Sequence, residues 1–168
     1  MIQKVVAHFI DHQIVKGTSV DVDPSRPRCH INTDDRGLME VDLDQVKALY
    51  FVKDLGGNAA YDEAQAPSAG DSRLRGSTLI DITFLDGEHL GALTNRYPPR
   101  GRLFFVVPMD PQSNNQRILI NGDAVAEMKV VEAPPAPKPS ASAQQVPRTQ
   151  RTSWVFDGKD IKYTHPGR

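Results

Sequence analysis

The chain repeats itself. Val5-Val6-Ala7-His8-Phe9-Ile10-Asp11 lines up with Ile80-Asp81-Ile82-Thr83-Phe84-Leu85-Asp86 at an offset of 75. A proline-arginine turn follows in both copies at an offset of 74, Asp23-Pro24-Ser25-Arg26-Pro27-Arg28 against Tyr97-Pro98-Pro99-Arg100-Gly101-Arg102. Met39, Val41, Val46, Leu49 and Phe51 then match Ile118, Ile120, Val125, Met128 and Val130 at 79. The blocks keep their order, and each gap falls where a turn is expected. Whatever the chain folds into has to be built from one unit of about 50 residues used twice.

Each unit reads as strands. Val6, His8 and Ile10 alternate with Val5, Ala7 and Phe9, and Ile80, Ile82 and Phe84 alternate with Asp81 and Thr83. Asp86-Gly87 is a hairpin turn signal that tolerates positive φ, and Asp11-His12 is its poorer counterpart. Pro24 and Pro98-Pro99 mark a second turn, and Pro108 to Gln116 a third loop. Leu103 to Val107 is a continuous apolar run, suited to a central strand buried on both faces. Arg117–Ile120 and Val125–Val131 supply the last two strands, around a tight Asn121-Gly122-Asp123 turn. Five short strands without a convincing helix bury an apolar face only by curling into a small barrel. The expected fold is therefore all-β: two tandem five-stranded small β-barrels over residues 1–55 and 78–132.

Composition sets the rest of the layout. Residues 56–77 mix Ala, Gly, Ser, Asp and Pro with no apolar periodicity, and read as a linker. Residues 133–152 hold prolines at 134, 135, 137, 139 and 147 and few large apolar side chains, too little to offset the entropy of ordering. They read as a disordered Pro/Ala/Ser-rich linker. Residues 153–168 turn apolar again around Asp157-Gly158 and carry the only tryptophan, so a small docking hairpin is expected there. Residues 1–55 hold seven Lys and Arg against nine Asp and Glu, 76–132 five against seven, and 133–168 six against two. The body is mildly acidic and the tail basic, with a net charge of −1 that exerts no global pull on nucleic acid or acidic membranes. No apolar run approaches the roughly 20 residues of a spanning helix. Asp11 interrupts the N-terminal apolar stretch before a signal-peptide core forms. Cys29 is the only cysteine, which excludes an internal disulfide and suits a reducing, cytoplasmic compartment.

Phe84-x-Asp86-Gly87-x-x-Leu90-Gly91, an apolar strand, a loop and Ile118-x-Ile120-Asn121-Gly122-x-x-Val125 resemble the Sm-like, or SH3-like, five-stranded barrel. Two departures matter. The N-terminal helix of Sm proteins is missing, and so is their acidic second-strand residue that helps place RNA bases; Asn95 and Arg96 stand in that region. With its Pro-x-Arg-x-Arg turn, the whole pattern resembles more closely an uncharacterised family of bacterial domains. In that family such units occur alone, in tandem or attached to signalling domains. The resemblance covers residues 3–55 and 78–131 and implies a fold, with almost nothing about activity.

The candidate chemistry is thin. His8 and His12 are about 13 Å apart if extended, too far for one metal, and Cys29 and His30 face opposite ways. Asp11 and Asp86 are explained by turn bonding. There is no nucleophile elbow, phosphate loop or Cys-x-x-Cys, so neither an enzyme, a cofactor nor a metal is expected. Arg26 and Arg28, and again Arg100 and Arg102, share a face if extended, and so present paired guanidinium forks to a phosphate, a carboxylate or an acidic partner loop. Trp154, Phe156, Ile161 and Tyr163 are candidate anchors of a docking tail. The expected function is a non-enzymatic interaction, scaffold or adaptor module of a bacterial cytoplasmic assembly or signalling system, with protein partners and self-association as a further option. The alternative is a regulator that binds a phosphate-bearing ligand or RNA through the Arg-x-Arg turns. RNA fits less well, given acidic units and no exposed aromatics for stacking bases. The two units are expected to pack on each other, because a core of this size is weak alone and open sheet edges need covering.

Overall fold

A computed structural model of the chain describes residues 1–135 and the backbone of Ser153–Phe156 and Ile161–Thr164. The strands are β1 (Gln3–Phe9), β2 (Ile14–Ser19), β3 (Arg28–Thr33), β4 (Gly37–Asp42) and β5 (Val46–Val52), then β6 (Thr78–Phe84), β7 (His89–Thr94), β8 (Leu103–Pro108), β9 (Asn115–Asn121) and β10 (Val125–Val130). Every pairing is antiparallel, and the described residues contain only two short 3-10 turns, Ser72–Leu74 and Gly122–Ala124, besides strands and loops. The strands form one open sheet in the order β10-β6-β7-β8-β9-β5-β1-β2-β3-β4. The order fifth-first-second-third-fourth therefore occurs twice, once in each half. The halves meet where β5 pairs with β9, and β4 and β10 are left as edges.

The repeat is visible in the ladders. β1, β2 and β3 correspond to β6, β7 and β8 at an offset of 75. The turn needs a correction by one residue. Arg28 pairs with Asp42 as Leu103 pairs with Asn121. The Leu43 N–H donates to the Pro27 carbonyl as the Gly122 N–H donates to that of Arg102. The 75 offset thus runs through the third strand, and Arg26 and Arg28 are not the counterparts of Arg100 and Arg102. The hairpin reading holds better: Gly87 has φ +86° and its counterpart His12 has φ +72°.

The two faces of β5 feed different cores. Val46, Leu49 and Phe51 join Val5, Val15, Ile31 and Val41 of the first half, together with Leu103 and Leu119 from the second. Ala48, Tyr50 and Val52 join Ile80, Ile82, Phe84, Phe104 and Ile118. At roughly 1.5–3 kcal/mol for each large side chain removed from water, this sharing strongly favours keeping the halves together. β5 is buried at all seven positions, whereas Phe105 and Val107 of β8 are half-exposed. The strand buried throughout is the one with a lysine in it, not the apolar run at Leu103–Val107.

Polar bonds fix the junction. The Asn121 side chain, 1% exposed, donates Nδ2–H to the carbonyls of Val46 (3.0 Å), Asp44 (3.3 Å) and Leu43 (3.5 Å). Lys47 Nζ bonds Asp86 Oδ2 at 2.8 Å and also meets Glu88. The segment expected as a linker, residues 56–77, contains no strand but is strapped to the β8–β9 loop. Asp110 accepts from Tyr61 Oη (2.7 Å) and the Ala64 amide (2.9 Å), and Arg73 donates to the carbonyls of Pro108 and Met109.

At the C-terminus, β11 (Ser153–Phe156) and β12 (Ile161–Thr164) pair with Trp154 opposite Tyr163 and Phe156 opposite Ile161. The two strands pair antiparallel, and the residues between them, 157–160, lie outside the described residues. So do the side chains of the expected hairpin and residues 136–152 of the expected linker.

Candidate functional site

Both halves have a gap in the same place. β2 and β3 pair only at Thr18 and Asn32, and β7 and β8 only at Ala92–Pro108 and Leu93–Val107. The cause is the proline turn: the chain leaves the sheet after Ser19 or Thr94 and returns only at Arg28 or Leu103.

In the first half the gap is filled by the chain itself. Asp21 Oδ1 accepts the His30 amide at 2.9 Å, Asp21 Oδ2 lies 2.7 Å from His30 Nδ1, and Ser19 Oγ donates to Oδ1 at 3.1 Å. Burial works against the charged Asp21 carboxylate, yet these bonds, led by that of the His30 ring, hold its pKa below the usual carboxylate range. Glu40 completes the cluster, 3.9 Å from His30 Nε2 and 3.0 Å from Arg28 Nη1.

In the second half the gap is open. Offset by 75, Arg96 takes the place of Asp21 and Phe105 that of His30. An open groove of about 350 Å³ is lined by Asn95, Arg96, Pro99, Arg100, Phe105 and Val107, among others. His30 stands opposite Glu40 as Phe105 stands opposite Leu119. The register thus turns the Phe105 amide, like that of His30, toward the gap, where the ladder to β7 has already ended at Val107.

The four arginines expected from sequence separate here. Arg26 Nε lies 4.0 Å from Asp23, Arg28 pairs with Glu40, and Arg102 bridges Asp44 and Asp123, the latter at 3.5 Å. Only Arg28 lies within a strand, so the expected forks on a common face do not form. Arg100 and the unanticipated Arg96 are exposed on the groove, and no carboxylate among the described residues pairs with either. The signal for Arg96 was its alignment with an aspartate.

Asp11 Oδ1 accepts the Gln13 amide (3.1 Å) and Asp86 Oδ1 that of Glu88 (3.0 Å), as turn bonding requires. Asp86 is in addition held below the usual carboxylate range, chiefly by the bond from Lys47. The His8 ring lies 4.7 Å from that of Tyr50, and burial pulls its pKa below the usual value. The Cys29 thiol is pushed up to about 11 by burial, which makes it a poor nucleophile. Among the described residues no group of three or more His, Cys, Asp or Glu is placed to hold a metal ion.

A family model described as a family of unknown function, DUF6982, matches residues 1–132. The chain belongs to that family. The DUF6982 match spans both halves and the strap between them, and ends two residues after β10. No curated protein and no solved structure matches the chain.

Proposed function

We propose that this DUF6982 chain is a non-enzymatic protein-interaction module of a bacterial cytoplasmic assembly or signalling system. In this reading each half is a five-stranded Sm-like barrel, residues 56–77 are the connection, and the tail from residue 153 is a second contact element. Support for the barrel reading comes from the cores, since Val5, Val15, Ile31, Val41 and Leu49 bring all five strands of the first half to one cluster. Among the described residues no helix is long and apolar enough to cross a membrane.

The observation that carries the interaction reading is the groove. Two guanidiniums without a carboxylate partner among the described residues, beside a partly exposed Phe105 and Val107, make an amphipathic surface of the kind that binds protein segments. The rival, phosphate or RNA capture by the Arg-x-Arg turns, is disfavoured because Arg26, Arg28 and Arg102 already pair with carboxylates. Two measurements decide between them. Full-length protein and a form lacking residues 149–168 are used as baits, and retained proteins are identified and re-tested in purified form. Binding to short RNA and common nucleotides is titrated against salt, because phosphate contacts weaken steeply as salt rises. A purified protein that binds directly supports the module. RNA or nucleotide binding at low salt, lost on substitution of Arg26, Arg28, Arg100 and Arg102, establishes the rival instead.

A further inference from the structure

We propose that the groove of the second half is a receptor for a carboxylate side chain of an acidic protein segment, which takes the position that Asp21 fills in the first half. The inference deepens the interaction reading and rests on it, and the internal duplication supplies the template. In the first half a carboxylate sits in the gap, one oxygen on the backbone amide of His30 and the other on its ring nitrogen. In the second half the aligned amide is that of Phe105, and the carboxylate is replaced by Arg96, with Arg100 also on the groove. Replacing an internal anion by a cation removes the occupant and reverses the charge of the site. What then fits is an anion from outside.

The chemistry of the lining favours a carboxylate. A backbone amide turned into a groove that is also lined by two guanidiniums supplies donors of the kind that a carboxylate accepts. Half-exposed Phe105 and Val107 give the neighbouring residues of the segment an apolar surface to lie on. The chain's own tail is a poor occupant, since residues 133–168 carry six Lys and Arg against two Asp and Glu. An acidic segment of another protein has the right sign.

The test uses full-length ¹⁵N-labelled protein titrated with an oligoglutamate peptide, with oligoglutamine and inorganic phosphate as controls. Oligoglutamate is expected to move the amide signals of Arg96, Arg100 and Phe105 before any others. The Arg96→Ala/Arg100→Ala double variant should weaken binding at least about tenfold, and Arg26→Ala/Arg28→Ala should leave it unchanged. The sharpest variant is Arg96→Asp, which returns a carboxylate to the aligned position and so restores an acceptor for the third-strand amide, without the ring nitrogen that His30 adds in the first half. It should fold, slow hydrogen exchange at the Phe105 amide, and abolish the oligoglutamate shifts. Binding by Arg96→Asp at the wild-type level overturns the proposal, as do equal shifts with oligoglutamine. Stronger shifts with phosphate than with oligoglutamate also overturn it and favour a phosphate ligand. If oligoglutamate causes no shifts while a purified partner still binds the full chain, the carboxylate receptor fails and the interaction module stands.

Discussion

Asn121→Asp should loosen the junction between the halves while leaving the local turn intact. In the first half, the position that aligns with Asn121 is Asp42, whose Oδ1 accepts the Asp44 amide at 3.0 Å. Asn121 Oδ1 does the same for Asp123 at 3.1 Å. An aspartate at 121 therefore keeps the turn bond. It removes only the NH2 group, which reaches three carbonyls around the β4–β5 turn of the other half. The two N–H donors satisfy buried acceptors, and losing each costs about 1–2 kcal/mol when its acceptor stays dry. A buried carboxylate facing carbonyl oxygens adds to this, so the expected loss is about 2–4 kcal/mol. For a domain of this size that is a fall of roughly 6–12 °C in Tm. Urea and thermal unfolding of the full chain measure it, with exposed Asn58→Asp as the control. A loss below about 0.5 kcal/mol, the range of an ordinary surface change, refutes the claim that this amide holds the halves together.

Three further outcomes follow from single environments. His8 is held below its usual pKa by burial, so the unfolded chain takes up the proton first; stability should fall as pH drops below about 6.5. That slope should be shallower in His8→Gln, and equal slopes in both proteins would sink the idea. Cys29 is buried with its thiol pushed up to about 11, so a thiol-reactive dye at pH 8 should label the chain only after denaturation. A Cβ on Gly17 would lie 2.2 Å from the Asn32 carbonyl oxygen, part of a paired strand, whereas one on Gly91 would meet the mobile end of Met109 at 2.0 Å. Gly17→Ala should therefore destabilise by about 2–3 kcal/mol and Gly91→Ala by clearly less, read by urea unfolding.

The parts of the fold that were legible in the sequence are those with local causes. Alternation gave the strands, and Asp86-Gly87 gave the hairpin, because a positive φ at residue 87 is a requirement of the turn alone. The structure departs from these local signals where the cause lies far away in the chain. β5 carries Lys47 near its start, and its apolar run Ala48–Val52 is no longer than Leu103–Val107, so run length alone does not single it out as the strand buried throughout. The Lys47 charge is tolerated only because Asp86 and Glu88, brought in by the other half, accept from it. The arginine turns were aligned one residue short, since matching like residues placed the gap before the strand rather than at its far end. A slip of one residue in a strand exchanges its faces.

Each half also serves as a control for the other. His12 and Gly87 differ in chemistry, yet both adopt the left-handed conformation at the same turn, so the shared fold dictates the backbone there and tolerates the residue. Asp21 and Arg96 differ in the opposite sense. The first half demonstrates that a carboxylate at this position meets the needs of the gap, giving the third strand's amide a partner at 2.9 Å. An arginine at the same place forgoes that bond and leaves a cation with no described counter-charge. Folding alone does not ask for a cation there, since in the first half the same amide is met by an aspartate, which the His30 ring also holds. A position where the scaffold's own solution is available and absent is where a requirement other than folding acts. In this chain that position lies on the one groove where Arg96 and Arg100 stand together without carboxylate partners among the described residues.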